Sequence, residues 1–203
     1  MPTPQLKPLP VRSPGRPRDK TREAKILEET LQLLGEVGFA RLTVDAVVAR
    51  ARASKATVYR RWATKEELAV AAFDLLPLIE IESCGDLEED ILRYIEQYSR
   101  FMQTTTLRSV LPALVSEACQ NPVLAEKLQQ TVMRRRESGI ALVEAAIARG
   151  ELSASTDPVL AQELFIGPLV NRTFFFPQNF DLADFRTLAR IVVAGLKAQS
   201  APV

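Results

Sequence analysis

The chain has 203 residues, 47% of them hydrophobic and 25% charged, with a net charge of +1; this suffices for one ordinary domain, or a small domain fused to a larger one. It contains no His, and Cys84 and Cys119 are its only cysteines, which removes histidine-based triads, most transition-metal sites and the commonest general base. The charge is unevenly placed: residues 1–65 carry 14 Lys and Arg against 6 Asp and Glu (+8), and residues 66–203 carry 12 against 19 (−7), the pattern of one part that meets nucleic acid joined to another that does not.

Aromatics are few and Leu, Ala and Val abundant, which favours helix-on-helix packing. No apolar run of about 18 residues predicts a membrane span, and the N-terminus lacks the apolar stretch of a signal peptide, so the expected location is the cytoplasm. Two lone cysteines in such a chain are expected as buried small hydrophobes, with a redox pair as the alternative.

Residues 1–18 hold six prolines among Lys7, Arg12, Arg16 and Arg18. Such a segment buries little and is expected to be disordered when free, either a solvated tail or a basic arm whose Arg16 and Arg18 follow the phosphate backbone or enter a minor groove. Residues 19–37 carry Ile26, Leu27, Leu31, Leu34 and Val37 at helical spacing and end at Gly38, predicting a first helix with a glycine C-cap. Thr43 then caps a short helix over 43–51, apolar at Val44, Val47 and Val48. After a tight turn at Arg52-Ala53, Ser54 caps a second short helix through Trp62, anchored by Val58 and Trp62 and presenting Lys55, Thr57 and Tyr59 outward. Two short helices so joined make a helix-turn-helix, whose second helix enters the major groove.

The run from Thr43 to Leu68, with Ser-Lys-Ala-Thr-Val-Tyr-Arg-Arg-Trp at 54–62 and then Lys-Glu-Glu-Leu, resembles the DNA-binding domain of the TetR family of bacterial transcriptional regulators. The likeness is close over about residues 20–70 and architectural beyond. It implies phosphate contacts from Thr43, Tyr59, Lys65 and the arm, base-edge or groove contacts from Lys55, Ala56, Thr57 and Arg60, and a place for Ser54 and Arg61 in the DNA-binding set, with one of Arg60 and Arg61 directed along the backbone. Arg52 departs from the family, which usually has Gly in this turn; a positive backbone angle there costs a non-Gly residue on the order of 1 kcal/mol.

Thr64 and Glu67 form a capping box opening a long helix to about Ser83, a lever between the two parts. Capped helices follow over about 87–104 (Asp86), 107–119 (bent at Pro112), 122–150 (Asn121), 158–174 (Asp157) and 182–198 (Asp181). The fold expected is all-α, about nine helices: an arm at 1–18, a three-helix DNA-binding domain at 19–65, and a helical effector-binding and dimerisation domain at 66–203. Phe73, Leu76, Tyr94, Tyr98, Met102, Phe165 and Leu169 are candidates for an apolar effector pocket, against the plainer reading that such a stripe is core. Arg100, Arg108 and Arg134-Arg135-Arg136 read as solvated faces, with binding of an acidic group as the alternative.

The last two helices are apolar nearly all round. Leu164, Phe174, Phe175, Leu188, Ile191, Val192 and Leu196 are the candidate interface of a homodimer, which a palindromic DNA operator requires and the resemblance implies, against the plainer reading of burial inside one monomer. No nucleophile motif, metal cluster, cofactor loop or catalytic residue is found, and the paired carboxylates 66–67 and 88–89 are explained as caps. The function expected is a homodimeric DNA-binding regulator, a repressor released by a small, largely apolar effector. The alternatives are an activator or ligand-free regulator, and a helical interaction module with a basic surface.

Overall fold

The computed structural model describes residues 20–176 and 181–199, which form nine α-helices and no strand: α1 Lys20–Arg41, α2 Val44–Ala51, α3 Lys55–Tyr59, α4 Lys65–Asp74, α5 Leu87–Thr104, α6 Leu107–Ala118, α7 Pro122–Ala148, α8 Pro158–Phe174 and α9 Leu182–Gln199. Residues 1–18, with Arg16 and Arg18, lie outside the described residues. Side-chain caps set most helix starts. Thr43, Ser54, Thr64, Asp86, Asn121 and Asp157 each accept from a backbone N–H of the turn they open, relieving donors that have no partner within the helix. Gly38 breaks the first helix at φ 74°, and one further turn runs to Arg41.

The predicted long helix from Thr64 to Ser83 is corrected: α4 stops at Asp74. Pro77 explains the early end, because it brings no N–H and disfavours a helical conformation at Leu76 before it. The connector from Leu75 to Asp86 has no helix, and side chains of α5 and α7 hold its backbone. Arg135 donates to the carbonyls of Leu76 and Pro77 (3.0 and 2.6 Å), Ser138 to that of Ile79 (2.5 Å), and Arg93 to that of Glu82 (2.7 Å). Asp90, fully buried, accepts from the Ser83 hydroxyl (2.5 Å) and the Cys84 N–H (2.7 Å).

The buried side chains form two clusters. One joins α1–α4 to Met102, Leu107, Val110, Leu114, Leu124 and Leu128, so the helix-turn-helix is tied to the second part through α1, which packs on α6, and α4, which packs on α7. Gly35 permits the close approach of α1 to α6, since a Cβ there would lie 2.8 Å from Ser109 Oγ. The other gathers Leu87, Ile91, Tyr94 and Ile95 of α5 with Leu142 and Val143 of α7, Phe165 and Leu169 of α8, and Phe185, Val192 and Leu196 of α9. Tyr98 packs against both. Cys84 and Cys119 are exposed, contrary to the expectation of burial, because one stands in the connector and the other at the end of α6. Among the described residues no helix is long and apolar enough to cross a membrane.

Burial works to raise the pKa of Asp90, but bonds from Ser83 and Cys84 and the charge of Arg93 together hold it below the usual value. A carboxyl depressed in the folded state stabilises above its unfolded pKa, and that stabilisation fades as pH falls through the carboxylate range. Asp90→Asn is therefore expected to cost about 2 kcal/mol at pH 7, a Tm loss of about 4–8 °C in a chain of this size. Thermal scans should show the gap from the unsubstituted protein narrowing as the pH is lowered below about 4, the unfolded Asp value; a gap constant from pH 7 to about 3 contradicts the assignment.

Candidate DNA interface and effector cavity

The recognition helix α3 has only five residues and depends on its neighbours for its position. Val58 and Trp62 are buried with Val47 of α2, which fixes one face and leaves the other to solvent. Ser54 accepts from the Thr57 N–H (3.2 Å), and the two hydroxyls are bonded at 2.9 Å. Before it, Arg52 adopts the left-handed conformation at φ 49°, ψ 43° and ends α2 by donating its backbone N–H to the Val48 carbonyl. The turn is therefore the one that glycine favours, built here with arginine.

Thr43, Arg52, Ser54, Lys55, Ala56, Tyr59 and Arg60 are exposed together on this side, and Thr57 is half-buried among them. Lys55 bonds Asp45 of α2 at 2.6 Å, and that bond raises its pKa, so the ammonium stays charged. Two more of the expected contact residues have partners within the protein. Arg61 turns back to pair with Glu23 of α1. Lys65 donates to the Phe39 carbonyl (3.1 Å) with its ammonium 4.2 Å from the centre of that ring, so it joins α4 to the end of α1. Both pairings share a cause: a long cation beside a tertiary contact finds a partner within the protein.

A second feature lies between α4 and α8: a cavity of about 490 Å³, in the range of small-molecule sites. Phe73 of α4, Ile79 of the connector, Tyr94, Tyr98 and Phe101 of α5, Leu107 and Leu111 of α6, Val132 of α7 and Ile166 and Val170 of α8 form its apolar wall. Arg135, Arg136, Gln162, Glu163 and Asn171 supply polar groups. Of the expected pocket residues, Phe73, Tyr94 and Tyr98 line it. Leu76, Met102, Phe165 and Leu169 do not; they are buried in the two cores, where Phe165 meets the Tyr94 ring edge-on at 5.5 Å. Gly139 makes room for that tyrosine, since a Cβ there would lie 3.0 Å from its Cζ.

Burial raises the pKa of both phenols, that of Tyr98 to about 12, so both remain neutral O–H groups. Arg135 and Arg136, expected as solvated, are half-buried. Arg136 bonds Gln162 (2.7 Å) and Glu163 (2.8 Å), while only Arg134 keeps the solvated position, paired with Asp74. Three consecutive arginines on a helix cover most of its circumference, so at least one must face inward; the spacing alone does not say which.

The sequence comparisons agree with this geometry. Residues 26–72 match the family model described as "Bacterial regulatory proteins, tetR family", and residues 81–192 match "Tetracyclin repressor-like, C-terminal domain". The chain belongs to the TetR family. It is 40% identical over 157 residues to the uncharacterized HTH-type transcriptional regulator Mb1581 of Mycobacterium bovis, covering 75% of this chain and 76% of that protein. It is 29% identical over 162 residues to the DNA-binding transcriptional repressor TetR of Mycobacteroides abscessus, covering 76% and 83%. The fold matches the crystal structure of TetR family transcription regulator SCO0332 with a TM-score of 0.66 at 23% identity, covering 86% and 97%.

As a TetR-family protein the chain is a DNA-binding transcriptional regulator, a family of regulators and not of enzymes, with its helix-turn-helix in α2 and α3. On the opposite part of this TetR-family fold, Leu164 and Ile191 stand 46% and 64% exposed beside half-buried Leu188, along a groove formed by α8 and α9. Val192 and Leu196, expected at a dimer interface, are buried in the subunit's own core and form only the groove's floor. Phe175 is 72% exposed and Phe174 half-buried at the end of α8.

Arg52→Gly is expected to raise stability by about 1 kcal/mol by removing the left-handed penalty; a lower denaturation midpoint at equal slope would show that the arginine side chain contributes more than its backbone costs. For Arg61 and Glu23, a double-mutant cycle should give a coupling of about 0.5–1 kcal/mol in stability. Arg61→Ala should leave the salt slope of DNA binding unchanged, whereas a slope reduced by about one unit would return Arg61 to the phosphate-contacting set.

Proposed function

We propose that the protein is a homodimeric repressor that reads a palindromic operator and is released by a small, largely apolar effector. The observation that carries this reading is the cavity, because one wall is Phe73 of α4, the helix that leads straight out of the helix-turn-helix. A molecule filling the cavity presses on the element that positions α3. Differential affinity for two settings of α4 and its connector is then enough to change operator binding. The similarity to a protein named a repressor supports that direction of control.

In this reading Lys55, Ala56, Thr57 and Arg60 meet the bases or groove, while Thr43, Arg52 and Tyr59 meet phosphate. Arg16 and Arg18 extend the footprint from the arm. Residues 19–65 form the reader and 66–203 the effector and dimer part. Leu164, Leu188 and Ile191, with Phe174 and Phe175, supply apolar surface for a two-fold interface, and the protein works in the cytoplasm, where its operator is.

Selection from random duplex DNA at physiological salt, followed by sequencing, is expected to enrich an inverted repeat, and sedimentation to give twice the chain mass. On that enriched site Tyr59→Ala should weaken binding about tenfold, the worth of one hydrogen bond to a charged phosphate. Retention without an enriched repeat would favour an interaction module with a basic surface. Unchanged affinity of the Tyr59 variant at matched salt would remove that residue from the interface.

A further inference from the structure

Arg135 is the one basic side chain lining the cavity whose charge is not matched by a bonded carboxylate. Glu163 is bonded to Arg136 and Asp74 to Arg134, and no described carboxylate lies within ion-pair distance of Arg135. It is seated between aromatic faces, its guanidinium carbon 5.0 Å from the Phe73 ring centre and 5.6 Å from that of Phe101. Two of its N–H groups are spent on the Leu76 and Pro77 carbonyls. A guanidinium has five N–H donors in a rigid fork and does not lose its proton in proteins, so donors remain for another acceptor. Burial pushes its pKa down, against the pull of Asp74, which is the mark of a cation kept in apolar surroundings at a cost.

We propose that the effector is an organic acid with an apolar body, its carboxylate bonded to Arg135 and its hydrocarbon or aromatic portion lying along Phe101, Leu111, Val132 and Ile166. This rests on the effector reading above and gives it a chemical class. A carboxylate matches the fork geometry of a guanidinium and supplies the counter-charge that the cavity lacks. Tyr98, a neutral O–H group lining the same cavity, can donate to a second oxygen of the ligand. Arg135 also holds the two carbonyls that follow α4, so the charge of the ligand acts on the group that anchors the connector. A neutral ligand of equal shape would fill the same volume without that hold.

The test uses the full-length protein and calorimetric titration with matched probes: straight-chain and phenyl-substituted alkanoates and the primary alcohol of each. The acids are expected to bind about 10- to 100-fold more tightly than the corresponding alcohols, the worth of a hydrogen-bonded charge pair. Arg135→Gln should abolish that preference and Arg135→Lys should keep much of it. Arg136→Gln should retain it in full, because Glu163 and Gln162 already occupy that guanidinium. Equal binding of acids and alcohols, with both lost in Val132→Trp, which fills the cavity, overturns the acid proposal and leaves the effector site standing. An acid preference that survives Arg135→Gln overturns the assignment to Arg135. Absence of binding by every probe overturns the proposal and the effector reading together. Should the Arg135→Gln variant not fold, the acid-to-alcohol ratio in the unsubstituted protein decides the question.

Discussion

The chain between α4 and α5 cannot satisfy its own backbone. Pro77 ends the helix, and the carbonyls of Leu76, Pro77, Ile79 and Glu82 must find donors outside it. They find them on α5 and α7, through Arg93, Arg135 and Ser138, while Asp90 receives the N–H of Cys84. The DNA-binding part is thus joined to the rest by a strap whose position is set by side chains, not by the stiffness of a continuous helix. A strap of that kind has discrete bonding partners that a ligand can strengthen or take away. A continuous helix transmits only its own tilt.

The same economy governs the DNA-facing surface. A five-residue helix lies below the length at which a helix is stable by itself, so α3 exists because Val58 and Trp62 are buried and because Ser54 caps it. Packing of α1 on α6 through Gly35, together with the Lys65 bond to Phe39, extends that dependence into the second part of the chain. The reader and the regulator share one core cluster. Displacement of α6 or of the start of α7 therefore reaches α3 through contact, without a hinge of free residues.

How far the sequence discloses all this follows from the range of each interaction. Caps at Thr43, Ser54, Thr64, Asp86, Asn121 and Asp157 act within three residues, and local pattern locates them along with the helices they open. The apolar anchors Val47, Val58 and Trp62 follow from helical spacing, and Phe73, Tyr94 and Tyr98 do reach the cavity. Leu76, Met102, Phe165 and Leu169 have the same composition and periodicity but are buried in the cores, because a stripe fixes which face is apolar and not whether the space beyond it is filled. The internal partners of Arg61, Lys65, Arg135 and Arg136 are what local reading misses most clearly. Each is a long cation whose partner lies 23 or more residues away, and nothing in its neighbourhood along the chain distinguishes it from a solvated one. The helix after Lys65 is overextended for a different reason: apolar residues continue past Asp74, whereas the stop signal at Pro77 acts backward on the residue before it.

Under the acid proposal, Arg135 is the point where ligand chemistry and connector geometry meet. Coupling between an effector and an operator is on the order of 1–3 kcal/mol in regulated proteins, and one hydrogen bond to a charged group contributes about 1.5–3 kcal/mol. Redistribution of a single guanidinium's bonds between two backbone carbonyls and a bound carboxylate is therefore large enough by itself, with no rearrangement of the apolar cores. The remaining wall has the opposite role. Ile79, Phe101, Leu111 and Val132 give affinity in proportion to the apolar area they cover, and a contribution equal in both settings of α4 shifts nothing. In the proposed reading, size and apolarity decide which molecules enter, whereas control of the operator falls to a group whose bonds differ between the two settings; Arg135 lines the cavity and also bonds the strap through the Leu76 and Pro77 carbonyls.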